Sequence, residues 1–189
     1  LRPVEHRAAG ALGTVVEDDL LGQAVEQRQV VEEPHVVVAD VDVHEATQPA
    51  VIALTPRIRD LLNRVNRRVN ARIKPITDLA HWGVVDRWDY PDDGFGDCED
   101  YQLLKRRMLV ERGLPRRALR MTVVIDEKGE GHAVLTLLTD RGDLVLDNKT
   151  SAVLPWHQTG YTFIKRESQD AIAWVSLGGL SSPATTANR

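Results

Sequence analysis

The chain has 189 residues, 42% of them hydrophobic and 28% charged, with a formal net charge of −4 and a single cysteine. The length suffices for one good core, and the lone cysteine excludes an internal disulfide. No apolar run is long enough to span a bilayer, and no basic block marks a nucleic-acid surface.

Residues 1–50 read as an N-terminal extension. They hold three Arg against ten Asp or Glu, a balance of −7, and no aromatic residue, whereas residues 51–189 hold 21 Lys or Arg against 18 acids, a balance of +3. Residues 1–20 lack the basic stretch and apolar block of a signal peptide. The Val-rich run 36–43, bracketed by Pro34 and Pro49, reads as a strand.

One domain is expected over 51–178. Thr55-Pro56 reads as an N-cap and a first helical residue. Ile58, Leu61, Leu62, Val65, Val69 and Ile73 then recur at helical spacing, until Pro75 stops the helix. A loop rich in Trp, Asp and Gly follows, with Trp82, Trp88, Gly94 and Gly96. A second helix is predicted over 98–112, with Cys98, Tyr101, Leu104, Met108 and Leu109 as its buried stripe. Lys105, Arg106 and Arg107 fall on its solvated flank, and Gly113 suits the C′ position. Strands are predicted over 119–126, 132–139, 144–147 and 161–166, with turns at 127–131 and 140–143. Residues 179–189 are small and polar and read as a mobile tail.

Three positions in this layout carry chemistry. Cys98, in Gly96-Asp97-Cys98-Glu99-Asp100-Tyr101, sits at the first turn of the second helix, where the helix N-terminus favours a thiolate. An unpaired cysteine also packs as a small hydrophobe, so its position alone does not make a nucleophile. His132 opens one strand and Asp147 closes the next. A tight turn at 140–143 places Asp147 opposite Val134 or Thr136, on one face with His132. Taken singly, His132 fits an exposed strand end and Asp147-Asn148 fits a turn. Cys, His and Asp in this order, on helix, strand and strand, are a more specific signal: a thiol, its base and an orienting carboxylate. His6, His35, His44, His81 and His157 have no zinc-ligand spacing, and there is no glycine-rich phosphate loop.

These motifs, together with Leu104-Lys105-Arg106, Gly131-His132-Ala133-Val134-Leu135 and Val145-Leu146-Asp147-Asn148, resemble the bacterial transglutaminase-like cysteine proteinases. That family includes calcium-dependent periplasmic proteases that cut large biofilm adhesins from the cell surface. Val65-Asn66-Arg67-Arg68-Val69-Asn70, Asp86-Arg87-Trp88 and Trp156 also fit, and the likeness covers roughly residues 51–175, leaving 1–50 unmatched. The resemblance implies an α+β fold with a papain-like, transglutaminase-type core, its nucleophile at a helix N-terminus packed on an antiparallel sheet carrying His and Asp. It implies a cysteine endopeptidase in which Cys98 is the nucleophile, His132 the general base and acid, and Asp147 the group orienting His132. It further implies Ca2+ held by Asp97, Glu99 and Asp100. The implied partners are a protein substrate such as a large surface adhesin, and a regulatory protein. The implied location is periplasmic or secreted.

A separate physical argument bears on the calcium. Asp97, Glu99 and Asp100 crowd negative charge around Cys98, and like charges disfavour the thiolate. A cation held by those carboxylates offsets this, and oxygen ligands suit calcium. The same acidic turn also complements a helix dipole with no cation at all. The Cys98 backbone N–H and the Trp88 indole are candidate oxyanion donors, although Trp88 equally suits a lid on the core. Two rival activities share the fold: acyl transfer to an amine, as in a transglutaminase, and deamidation of glutamine side chains. A rival from another class is a catalytically idle binding module, which needs no reactive Cys98.

Overall fold

The computed structural model describes residues 46–171 and 173–181. The run 36–43 and the tail beyond 181 lie outside the described residues. No helix among the described residues is long and apolar enough to cross a membrane.

Helix α1, Pro56–Arg72, starts where the sequence places it. Thr55 Oγ1 accepts the Ile58 N–H at 3.2 Å, and Pro56 occupies the first turn, where its missing N–H costs nothing. Its inner face buries Leu62, Val65, Asn66 and Val69. Ile73 ends it in an extended conformation, because Pro75 disfavours helical geometry at Lys74. Strand β1, Lys74–Pro75, then pairs in parallel with β2, Phe95–Gly96. Between them lies a short helix, α2, Asp78–Trp82, within the stretch expected as a loop. Thr77 caps it, and Gly83 ends it at φ +74°. Five residues are too few to show a helical period.

Helix α3, Cys98–Val110, is the central element. It ends two residues short of the expected 112. Beyond it Gly113, at φ +88°, donates to Val110 O, and Leu114 donates to Leu109 O at 3.1 Å. The expected solvated flank is corrected by the structure. Lys105 is 0% exposed and Arg106 6%, and only Arg107 lies toward solvent, paired with Asp92 and stacked on Tyr90. The reason is that α3 packs against both α1 and the sheet. A helix covered on two sides has no wide polar face. Arg106 is compensated by Glu167, with Nη1 contacts of 2.6 and 2.9 Å.

The sheet is antiparallel, with order β6-β5-β4-β3-β7-β8. Its strands are β3 (Leu119–Ile125), β4 (Gly131–Leu137), β5 (Leu144–Leu146), β6 (Leu154–Pro155), β7 (Thr162–Glu167) and β8 (Trp174–Ser181). The two edge strands, β6 and β8, are additions to the sequence reading. Strand β6 is two residues long, and β8 passes the expected domain end at 178 with Gly178 and Gly179 at φ +68° and +71°. The register pairs Leu146 with Leu135. Continued one step, it sets Asp147 opposite Val134, one of the two partners expected.

One sheet face carries Met121, Leu135, Leu137, Leu144 and Leu146 against Leu62, Val65, Leu104 and Leu109 of the helices. Full burial of a leucine such as Leu62 or Leu109 contributes about 1.5–3 kcal/mol. A smaller cluster of Val124, Val134, Val145, Tyr161 and Phe163 fills the rest. The result is the α+β class expected, with one helix end aimed at the sheet. Residues 46–50 are bonded to this body: Arg117 Nη1 donates to Ala46 O and Gln48 O, and Gln169 Nε2 donates to Ala50 O.

Candidate active site

The N-terminus of α3 is held from behind. Tyr101, on its first turn, donates its hydroxyl to Ile73 O at 2.7 Å, while the β1–β2 pairing fixes the approach through Gly96. Asp97 is the N-cap, and its N–H reaches Asp100 Oδ2 at 3.3 Å. Cys98 is therefore delivered to the first helical position, as its motif implies. One turn later, Gln102 Nε2 donates to Ala133 O at 3.4 Å, and the Ala133 N–H faces the Cys98 sulfur. The thiol thus lies against the residue that follows His132.

His132 Nε2 and Asp147 Oδ1 are 2.8 Å apart, and both side chains are buried. The strand register produces this meeting, as described above. Asp147 has further partners. Its Oδ1 accepts the Lys149 N–H at 3.0 Å, its Oδ2 accepts the Tyr161 hydroxyl at 2.6 Å, and its backbone carbonyl accepts Asn70 Nδ2 at 2.8 Å. Burial works to raise the Asp147 pKa, but the hydrogen bonds from His132, Lys149 and Tyr161 outweigh it and hold the carboxyl below its ordinary value. The Tyr161 ring meets the imidazole edge-on, with centroids 5.8 Å apart. Burial, and then the bond to Asp147, push the Tyr161 pKa up, so the phenol stays a donor.

Two sequence expectations pull on the thiol in opposite directions, the helix N-terminus toward thiolate and the acidic neighbours away from it, and the Cys98 pKa is raised, by burial first and by Glu99 next. The Cys98 Sγ hydrogen bond goes to Glu99 Oε2 at 3.0 Å. Burial outweighs the partial charge that the helix dipole supplies. In this arrangement the thiol is protonated and held by Glu99.

The acidic cluster is larger than the sequence suggested. Carboxylate oxygens of Asp78, Asp97 and Asp100 lie within 4.8 Å of one another, as do those of Asp78, Asp86 and Glu99. Asp78, at the start of α2, is common to both groups, and the chain reversal between α1 and α3 brings it back over the Cys98 turn. Asp78, Glu99 and Asp100 are buried. Burial and the charge of Asp97 push Glu99 up to about 9 and Asp100 up to about 7. Asp97 Oδ1 is buried with no hydrogen-bond partner among the described residues. Trp88 donates its indole N–H to Asp86 Oδ1 at 3.1 Å and packs edge-on against Trp174. Of the two roles the sequence left open for Trp88, the ring's packing on the core favours the lid, with the indole N–H on Asp86.

Tyr161, Gln102 and Asp78 were missed in sequence, while Asn70 and Asp86 stood within motifs that carry the family resemblance but without a role. Asn70, with Asn66, puts polar groups four residues apart on the buried stripe of α1, and Gln102 breaks the apolar pattern of α3. Asp78 gave no signal, since its proximity to Cys98 depends on the path of the intervening loop.

Comparison with known proteins extends this picture. A family profile described as bacterial transglutaminase-like cysteine proteinase BTLCP matches residues 38–182. Among solved structures the chain is similar to calcium-bound Legionella pneumophila LapG, at 25% identity and a TM-score of 0.55, covering 71% of this chain and 76% of that one. A further structure of the same protein gives 26% identity and a TM-score of 0.53, covering 72% and 74%. An EGTA-treated form gives 28% identity and a TM-score of 0.51, covering 60% of this chain and 64% of the other. The chain therefore spans somewhat less than two thirds of that last structure. No curated protein matches the chain.

Proposed function

Because the chain belongs to the bacterial transglutaminase-like cysteine proteinases, we propose that it is a thiol endopeptidase in which Cys98 attacks, His132 carries the proton and Asp147 orients His132. The observation that carries this reading is the buried 2.8 Å pair of His132 Nε2 and Asp147 Oδ1, beside the helix turn that presents Cys98. With Nε2 committed to Asp147, Nδ1 is the nitrogen that takes the proton from the Cys98 S–H. The thiolate adds to the peptide carbonyl. His132 returns the proton to the leaving amine, a thioester remains on Cys98, and water releases the acid. Asp147, fixed by Tyr161 and the Lys149 N–H, keeps the imidazole in one tautomer throughout.

Calcium fits the acidic cluster. Asp97 Oδ1 is an orphaned buried acceptor, and burial together with the charge of Asp97 raises the pKa of Glu99 and Asp100, a shift that a divalent cation would oppose. Asp78, Asp97 and Asp100 would hold the ion, with Glu99 and Asp86 in the adjoining group. When bound, it would supply positive charge next to the nucleophile's turn and draw Glu99 from the thiol. The calcium-bound structure among the similar proteins supports this reading. The family likeness also supports a protein substrate, specifically a large surface adhesin, a periplasmic site of action and a regulatory protein partner.

The test is cleavage of a denatured protein mixture with calcium present, read by mass mapping of new termini. Wild-type protein is expected to generate them and Cys98→Ala to generate none. His132→Ala should also slow alkylation of Cys98 by iodoacetamide. Amine incorporation or deamidated glutamine in place of new termini would assign a rival acyl-transfer activity. An unreactive Cys98 in calcium would leave a binding module.

A further inference from the structure

Lys105 lies in the middle of α3, fully buried, and its Nζ has no hydrogen-bond partner among the described residues. A lysine in that position costs free energy unless something solvates it. Three buried amide oxygens share the condition: Asn66 Oδ1 and Asn70 Oδ1 on α1, and Gln102 Oε1 one turn before Lys105 on α3. Their nitrogens are all engaged. Asn66 Nδ2 and Asn70 Nδ2 each donate to Thr150 O at 3.0 Å, and Asn70 Nδ2 also donates to Asp147 O at 2.8 Å. Gln102 Nε2 donates to Asn148 Oδ1 at 3.3 Å as well as to Ala133 O. The two helices thus grip residues 147–150 through three amide groups, and the oxygens of those amides remain over. The charge that acts on Lys105 is that of Asp147, and the Tyr101 ring lies 5.9 Å from Nζ.

We propose that Lys105 is a positioning residue for the His132–Asp147 pair, its ammonium joined through buried water to the free oxygens of Asn66, Asn70 and Gln102 and thereby fixing residues 147–150. The chemistry matches: an ammonium offers three hydrogens, each amide oxygen accepts, and a buried water makes two to four hydrogen bonds. The same ammonium sets a positive charge against Asp147 from the helix side, while His132 holds it from the strand side. Lys105 touches no reacting atom and acts only through Asp147. The inference rests on the reading of His132 and Asp147 as the catalytic pair.

The experiment compares wild type with Lys105→Met and Lys105→Arg. Methionine fills similar volume without a charge, so folding should be kept or improved. Turnover should nevertheless fall about tenfold to a hundredfold with KM unchanged, as expected when a reacting group is mispositioned. The downfield proton resonance of the His132–Asp147 hydrogen bond should shift or broaden. Lys105→Arg, which retains the charge, should recover part of the turnover. A folded Lys105→Met with wild-type turnover and an unmoved proton resonance would overturn the proposal. If that variant does not fold, a crystal structure of the wild type decides: water bridging Nζ to one of the three oxygens supports the proposal, and Nζ bonded directly to a protein group overturns it. A wild-type protein that cleaves nothing would remove the protease reading, while the proton resonance would still test the positioning.

Discussion

Gly96 and Asp100 are in contact across the start of α3, so closely that a Cβ on Gly96 would meet Asp100 Oδ2 at 2.7 Å and Asp100 Cβ at 2.8 Å. Position 96 is glycine for space and not for backbone freedom. Gly96→Ala should displace Asp100, cost about 1–3 kcal/mol as overpacking, and weaken calcium binding more than it lowers the melting temperature of the calcium-free protein. Calorimetry with calcium and a thermal melt in chelator separate the two effects. Equal calcium affinity in the variant would remove Asp100 from the ion site.

Activity should vanish in a calcium-selective chelator and return with calcium, with magnesium a poor substitute because it demands tighter octahedral geometry. The structure adds Asp78 to the residues that matter. Asp78→Asn should lower calcium affinity, as Asp97→Ala and Glu99→Ala should, although 19 residues separate Asp78 from Asp97. Full turnover in chelator would reduce the cluster to a helix-capping feature.

Tyr161→Phe removes one hydrogen bond from the Asp147 carboxylate and leaves the ring against His132. A bond to a charged group contributes about 1.5–3 kcal/mol, and turnover should fall with little change in KM. The Asp147 pKa is lowered in the folded state. Its contribution to stability is therefore present above the unfolded value near 3.8 and is lost as pH falls through the folded value. Acid melts of wild type and Tyr161→Phe should converge below that range and diverge above it. Parallel curves at every pH would contradict this.

Burial lowers the Lys105 pKa from 10.5 to about 7, against the opposing charge of Asp147, so the positioning charge is present below about pH 7 and fades above it. The charge that acts on it is that of Asp147 at the end of β5, and the Tyr101 ring of its own helix lies 5.9 Å from Nζ. Between about pH 7 and 10.5 the unfolded chain binds the extra proton, so this group makes stability rise with pH across that window. Each unit of difference is worth about 1.4 kcal/mol. Denaturant midpoints at pH 7 and pH 9 should show the rise in wild type and a smaller one in Lys105→Met. The same slope in both would place the titration elsewhere.

Removal of residues 1–45 should leave a domain that unfolds cooperatively with Cys98 reactivity intact. Removal of 1–50 should lower its melting temperature, because it deletes the Ala46 and Gln48 carbonyls that hold Arg117. Two truncations with identical melts would make those bonds incidental.

The helices and central strands were legible because their signals are local. Thr55 and Pro56 start α1, the apolar spacing of Leu62, Val65 and Val69 faces it inward, and the short turn at 140–143 between β4 and β5 sets the register that brings His132 to Asp147. The unread parts depend on where the chain travels. Asp78 reaches the Cys98 turn only because the loop doubles back, and Tyr161 reaches Asp147 only because the chain returns from β6 to place β7 beside β3. Lys105 and Arg106 were assigned to solvent because a charged residue on a helix usually is exposed. Nothing local announces that α3 is covered on both sides. At Cys98 the opposing charge of its sequence neighbours was legible, whereas the burial that outweighs the helix end is a product of the fold.

The two borders of the sheet constrain how a polypeptide substrate can be held. On one border β6 offers two residues, one of them Pro155, which has no amide hydrogen to lend to a neighbour. On the other, β8 is broken by Gly178 and Gly179 in left-handed geometry. Neither border is a flat template for a docking chain. An extended peptide gains little by lengthening the sheet at its margins, and uncontrolled stacking of one molecule on another is discouraged by the same breaks. Grip on the scissile region is then expected at the Cys98 end of the domain, which lies beside the start of β4. Sequence preference should accordingly track substitutions at that end and be indifferent to changes in β6 or β8.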